Sequence, residues 1–302
     1  MPYFASFAAF CSISLSLFCT QVRAAEPESK IDASPRYKSV GFVKFPEDVT
    51  VGAVSAVAVD DKDNVYVLQR GATPLMAWDA SGKYLNGWGD KLFKLPHGLR
   101  IDAKGNIWTT DNSNSLLRCF SPRGELLLTL GDSKEADALK FKSPDDLVFD
   151  KAGNMYVADA GSGRILKLSP EGKLLKAWGK KGKADGEFGT AHSLAIDSDD
   201  HIYVGDRGNK RVQVFDSEGK HLHTWTGFGN AFGLIVIGNE LLTTEGDKHQ
   251  IYHLDRTSGK VNAVWGDPES LKLPHLMARD SKGRLYVAEV DGKRVQIFEP
   301  VK

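Results

Sequence analysis

One pattern recurs six times along this chain: a short apolar run, an Asp-centred turn, and a strand carrying an aromatic residue. Leu99–Trp108 reads LRIDAKGNIW, Leu147–Tyr156 LVFDKAGNMY and Leu194–Tyr203 LAIDSDDHIY. Val57–Tyr66 (VAVDDKDNVY) and Met277–Tyr286 (MARDSKGRLY) follow the same plan, and Leu234–Leu242 (LIVIGNELL) is a copy shortened at its turn. The column just ahead of these runs holds Ser55, His97, Asp145, His192, Phe232 and His275, spaced 42, 48, 47, 40 and 43 residues apart. A period of this length with strand-type alternation is that of a four-stranded propeller blade. Turns such as Asp-x-x-Gly-Asn between runs of Val, Ile, Tyr and Trp are hairpin grammar. The expected fold is therefore all-β, a six-bladed β-propeller.

The ends of the chain say how such a ring closes. The last copy supplies only three strands, around 277–280, 284–289 and 294–299, while Ser39–Phe45 alternates like a strand before the first full copy. We expect this N-terminal strand to complete the last blade, which leaves no open sheet edge. Helical periodicity is missing from the repeats. Residues 37–302 then form a single domain, preceded by a flexible segment at 25–36.

Residues 4–19 are an apolar run followed by a small-residue site, Val22-Arg23-Ala24. This reads as a signal peptide over residues 1–24 and predicts a secreted or periplasmic protein. The run is short for a membrane span, which needs roughly 20 apolar residues. Cleavage would leave Cys119 as the one cysteine, so no internal disulfide is expected, and Cys119 reads as a small buried hydrophobe. Lys plus Arg and Asp plus Glu each number 39, giving zero formal net charge. That balance argues against a nucleic-acid surface held by general positive charge. The local run Lys180-Lys181-Gly182-Lys183 reads as a solvated loop, and the chain as a monomer.

His97, His192 and His275 occupy the same column in every second copy. In a closed ring they stand a third of a turn apart and converge on the axis. Three histidines with one open position form a recognised catalytic zinc set, against the alternative of solvated channel-lining residues. His201, His221, His223, His249 and His253 fall outside the column and are expected on surfaces or in turns. A second column closes the second strand of each copy: Gln69, Asp111, Asp159, Asp206, Glu245 and Glu289. Its acids are expected to take up backbone donors or pair with Arg164, Arg211 and Arg294. Arg70 and Arg207 follow this column in blades one and four, which face each other, and there they could hold a carboxylate bidentately. Surface ion pairing is the other reading of each. Asp145 in the histidine column is open between a channel carboxylate, able to take a proton or bind a harder cation, and a cap of its strand.

Certain motifs go further. Val-Leu-Gln-Arg-Gly (67–71), Leu-Pro-His-Gly-Leu (95–99), His-Ser-Leu-Ala (192–195), Asp-Arg-Gly-Asn-Lys-Arg (206–211) and Leu-Pro-His (273–275) make residues 50–300 similar to NHL-repeat propellers. They resemble in particular the peptidyl-α-hydroxyglycine α-amidating lyases. The resemblance implies zinc on His97, His192 and His275, active-site roles for Arg70 and Arg207, and cleavage of a carbinolamide to an amide and glyoxylate. A small carboxylate-bearing or peptide substrate would then enter the channel mouth. The sequence departs from that family at Ala160, where the family carries an active-site tyrosine, and at Leu276, where an acid serves the family's channel calcium. Two other readings remain: a non-catalytic NHL module binding a protein or glycan, and a calcium-dependent lactonase. The latter needs Asp, Glu and Asn in the column that histidines fill here.

Overall fold

In the computed structural model each copy folds as one four-stranded antiparallel sheet, giving six sheets in all. The structure describes Met1, Ile31 and residues 36–131 and 139–301. The expected signal peptide lies outside the described residues. Residues 31–302 form one compact unit. No helix among the described residues is long and apolar enough to cross a membrane.

The inner strands are Val54–Val59, Pro96–Ile101, Pro144–Phe149, Ala191–Ile196, Gly233–Ile237 and Pro274–Arg279. The ring closes as expected, with boundaries shifted by a few residues. Tyr37–Phe42 pairs antiparallel with Arg294–Pro300 and becomes the outer strand of the sixth blade.

Packing between blades explains the apolar alternation. Six buried apolar clusters occupy the six gaps between successive blades. Ala195, Tyr203, Leu234 and Leu241, for example, join blades four and five. Because blades pack face to face, both faces of an inner strand are covered, and its side chains are buried almost throughout.

The recurrent Asp is a turn device. Asp60 accepts the backbone N–H groups of Lys62 and Asn64 and the side-chain amide of Asn64. Asp102 repeats this with Lys104 and Asn106, and the Trp108 indole donates to it at 3.0 Å. Spacing Asp-x-x-x-Asn-x-aromatic thus satisfies a tight hairpin and ties it to the next strand. The outer turn of blade four combines such an Asp, Asp216, with a glycine. Gly219 adopts φ +76°, and a Cβ there would stand 2.5 Å from the Trp178 ring of the preceding blade.

The acids that end the second strands are structural, as expected. Asp159 binds Lys142 N–H and Arg164, Asp206 binds Gly189 and Thr190 N–H and Arg211, and Glu289 binds Lys272 N–H and Arg294. Cys119 is buried. Lys180, Lys181 and Lys183 are exposed, although the Lys181 ammonium also caps the carbonyls of Ala160 and Gly189.

Candidate metal centre

Five of the six inner strands slip register where the histidine column lies. The shifts fall between Val54 and Ala56, Pro96 and Leu99, Pro144 and Asp146, Ala191 and Ser193, and Pro274 and Met277. A β-bulge leaves a residue out of the ladder and re-aims its side chain. Ser55, His97, Asp145, His192 and His275 are the residues so released. Phe232 directly precedes the unbroken strand Gly233–Ile237.

The three imidazoles meet, as their shared column requires. Ring centroids lie 4.7 Å apart for His97 and His192 and 4.9 Å from each to His275, with the planes crossing at 72–81°. All three rings are buried, and one ligand nitrogen from each falls within 4.8 Å of the others.

The second nitrogen of each ring is committed. His97 Nδ1 donates to the carbonyl of Asp145 at 2.8 Å, His192 Nδ1 to Phe232 at 2.7 Å, and His275 Nδ1 to Ser55 at 2.6 Å. Every acceptor is the column residue of the following blade. Since a carbonyl only accepts, each Nδ1 carries the proton and each Nε2 offers a lone pair. His192 Nε2 is buried with no hydrogen-bond partner, an arrangement that costs free energy unless something binds there.

Burial first, then the positive charge of neighbouring histidines and of Arg207, holds His97 and His192 well below the ordinary histidine range, and Arg70 adds to the effect on His97. Burial chiefly brings His275 down to about 3. Neutral rings of fixed tautomer, anchored through the far nitrogen and converging through the near one, are the donor set of a divalent metal. The residues present fit such an ion.

Arg70 and Arg207 flank this group. Arg70 is half-buried, and its Nε donates to the Pro96 carbonyl at 3.3 Å, one residue before His97. The Arg207 guanidinium lies 5.0 Å from the centre of the Phe232 ring. Among the described residues neither forms an ion pair, so their surface-pair reading is not realised. Both cations depress His97 and His275.

Asp145 is buried, and its carboxylate takes the side-chain amide of Asn112 rather than capping the strand. Burial pushes this carboxyl up to about 7 against the pull of Arg207. Ser143 Oγ donates to Asn112 Oδ1 at 2.7 Å and fixes the amide. Asn112 carries no chemistry-bearing motif in the sequence. Its signal was its place directly after Asp111, equivalent to Arg70 and Arg207. Ala160 fills that place in blade three and is buried. Leu276 is buried in the apolar cluster between blades one and two.

Of the other histidines, His253 departs from the expected surface placement. It is 1 % exposed, donates from Nδ1 to Glu240 at 3.0 Å and accepts at Nε2 from the Trp265 indole at 2.9 Å. The closing strand covers it, because Tyr37 stacks on Trp265 and packs at a tilt against His253. His201 does sit in a turn, with Asp197 and Asp199 near enough to suggest a second metal group. It replaces the Asn of the Asp-centred turn, however, and Asp197 is already filled by Tyr203 and Arg256.

The fold and this centre together define a six-bladed propeller with an axial three-histidine group. The NHL repeat family matches residues 93–120 and 188–215, the stretches that carry His97 and His192. The chain is 32 % identical over 114 residues to peptidyl-alpha-hydroxyglycine alpha-amidating lyase 1 of Drosophila melanogaster, covering 28 % of this chain and 21 % of the fly protein. Lyase 2 of the same species is 42 % identical over 52 residues, 17 % of this chain and 13 % of its own. The chain thus matches about a fifth or less of the length of these relatives. The resemblance to amidating lyases read from the motifs is borne out. Streptogramin B lyase superposes with a TM-score of 0.66 over 88 % of this chain and 98 % of its own, at 14 % identity. A gluconolactonase from Xanthomonas campestris gives 0.64 over 90 % and 99 %, at 13 % identity. These two likenesses are of fold.

Proposed function

We propose that His97, His192 and His275 hold a zinc ion, and that the chain is an exported lyase acting on a small carboxylate-bearing carbinolamide. The observation that carries this reading is the threefold set of Nδ1-to-carbonyl hydrogen bonds, which turns three Nε2 lone pairs toward one another. Zinc bound there would supply Lewis-acid chemistry, lowering the pKa of a substrate hydroxyl. Export rests on the signal-like residues 4–24.

The chain's own residues favour an anion. The centre has three neutral ligands and two guanidinium groups close by, with the buried Asp145 the acid that faces Arg207. A substrate carboxylate set between Arg70 and Arg207 would receive charge-assisted hydrogen bonds and balance that excess of positive charge. Asn112 and Ser143 hold Asp145 at the edge of this space. Burial of the histidines keeps bulk water from competing at the reacting atoms.

The test is metal content of the purified chain, together with glyoxylate release from an α-hydroxyglycine compound. One zinc per chain and zinc-dependent glyoxylate support the proposal; a chain that binds no divalent metal overturns it. Ala160, in place of the family's tyrosine, favours a second reading, a metal-holding NHL module that binds a ligand without turning it over. Stoichiometric zinc without glyoxylate would select that reading.

A further inference from the structure

Arg100 lies three residues after His97 on the inner strand of blade two, and its guanidinium reaches into two other blades. Nη2 donates to Asp146 Oδ2 at 2.6 Å and to the Leu194 carbonyl at 3.0 Å, while Nε donates to the Leu147 carbonyl at 3.1 Å. Asp146 is fully buried. Its Oδ2 also accepts the Leu194 N–H at 2.9 Å and its Oδ1 the Leu147 N–H at 2.9 Å. The pair therefore ties blade two to blade four, skipping the sequence between them by spanning blade three.

These are the blades that carry His97 and His192. Leu194, the residue gripped by both Arg100 and Asp146, lies two positions after His192. Arg100 also borders a cavity of about 260 Å³ at the other end of the channel, lined by Val57, Ile101, Val148, Ile196 and Met277 among others. Arg100 thus lines that cavity while its guanidinium holds the Leu194 carbonyl, two residues from His192.

We propose that Arg100 and Asp146 are positioning residues of the metal centre, a strut across the channel that sets the spacing of His97 and His192. The inference rests on the reading that the histidines hold a metal. Stability alone is a poor reason for the pair, because replacing a buried ion pair by apolar residues is often neutral. Its geometry supplies a better one. Three forked N–H groups meet one carboxylate and carbonyls from two blades, a demand that lysine, a point charge, cannot meet.

Cobalt(II) is the probe, since its visible d–d bands report coordination geometry independently of turnover. Wild type, Arg100→Lys, Arg100→Met and the double variant Arg100→Met/Asp146→Leu are titrated with Co²⁺ against a chelator, with Tm recorded for each. The double variant leaves no buried charge unpaired, so it keeps the test open if a single variant fails to fold. The expected result is roughly 10- to 100-fold weaker binding and altered bands in every folded variant, the lysine variant included. Folded variants with wild-type affinity and bands would overturn the strut. A wild type that takes up no cobalt would instead overturn the metal reading beneath it.

Discussion

His275 Nδ1 donates to the Ser55 carbonyl at 2.6 Å, across the seam where the sixth blade meets the first. The same bond recurs from His97 to Asp145 and from His192 to Phe232. Ring closure and ligand orientation are therefore one feature: each histidine is aimed by its neighbour's backbone, and the third is aimed only once the ring is shut.

Zinc is expected to bind the native ring and not the unfolded chain. Free zinc at 100 times its Kd should stabilise the protein by about 2.7 kcal/mol, seen as a rise in Tm of several degrees. His192→Ala should abolish that rise. A zinc-dependent shift that survives the substitution would place the ion elsewhere.

The carbonyl anchors matter as much as the ligands. A Cβ at Gly98 would stand 2.6 Å from the Asp145 carbonyl oxygen, the acceptor for His97. Gly98→Ala should push that acceptor away and loosen the ring, weakening zinc by roughly tenfold or more in a chelator competition. Unchanged affinity would mean the anchor does not tune the site.

Arg70 is expected to recognise the substrate carboxylate. Arg70→Ala should lower kcat/KM for carboxylate-bearing substrates about 10- to 100-fold, the 1.5–3 kcal/mol typical of a charge-assisted hydrogen bond. Arg70→Lys should recover little, because an ammonium cannot present the fork. Steady-state kinetics with acid and amide forms of one substrate would separate this role from a structural one, which would slow both alike.

Acid should loosen the closing strand through His253. A proton on Nε2 would set it against the Trp265 indole N–H, beside Glu240, Arg36 and the Tyr37 ring. Burial holds the folded pKa below the ordinary 6.5. The unfolded chain then takes up the proton first, so this contribution is complete above about pH 6.5 and is lost as pH falls through the lowered folded value. Denaturant midpoints of the zinc-loaded protein should fall more steeply from pH 7 to 5 in wild type than in His253→Gln. Parallel slopes would remove His253 from the account.

Much of this was open to reading along the chain. Blade number follows from the six copies of the repeat, and the convergence of His97, His192 and His275 follows from their sharing one column at alternate copies. Local rules suffice there, since turn chemistry and strand alternation act over a few residues. The fate of His253 was not legible, because its cover is supplied by Tyr37, far away in sequence and brought in by ring closure. Nor was the protonation of the three histidines, whose acceptors are backbone carbonyls that leave no trace in residue identity. Arg100 looked like any strand arginine until the ring set Asp146 and Leu194 around its guanidinium. Sequence determined which side chains point to the axis; only the closed ring decided which nitrogen faces it, because that choice depends on partners one blade away.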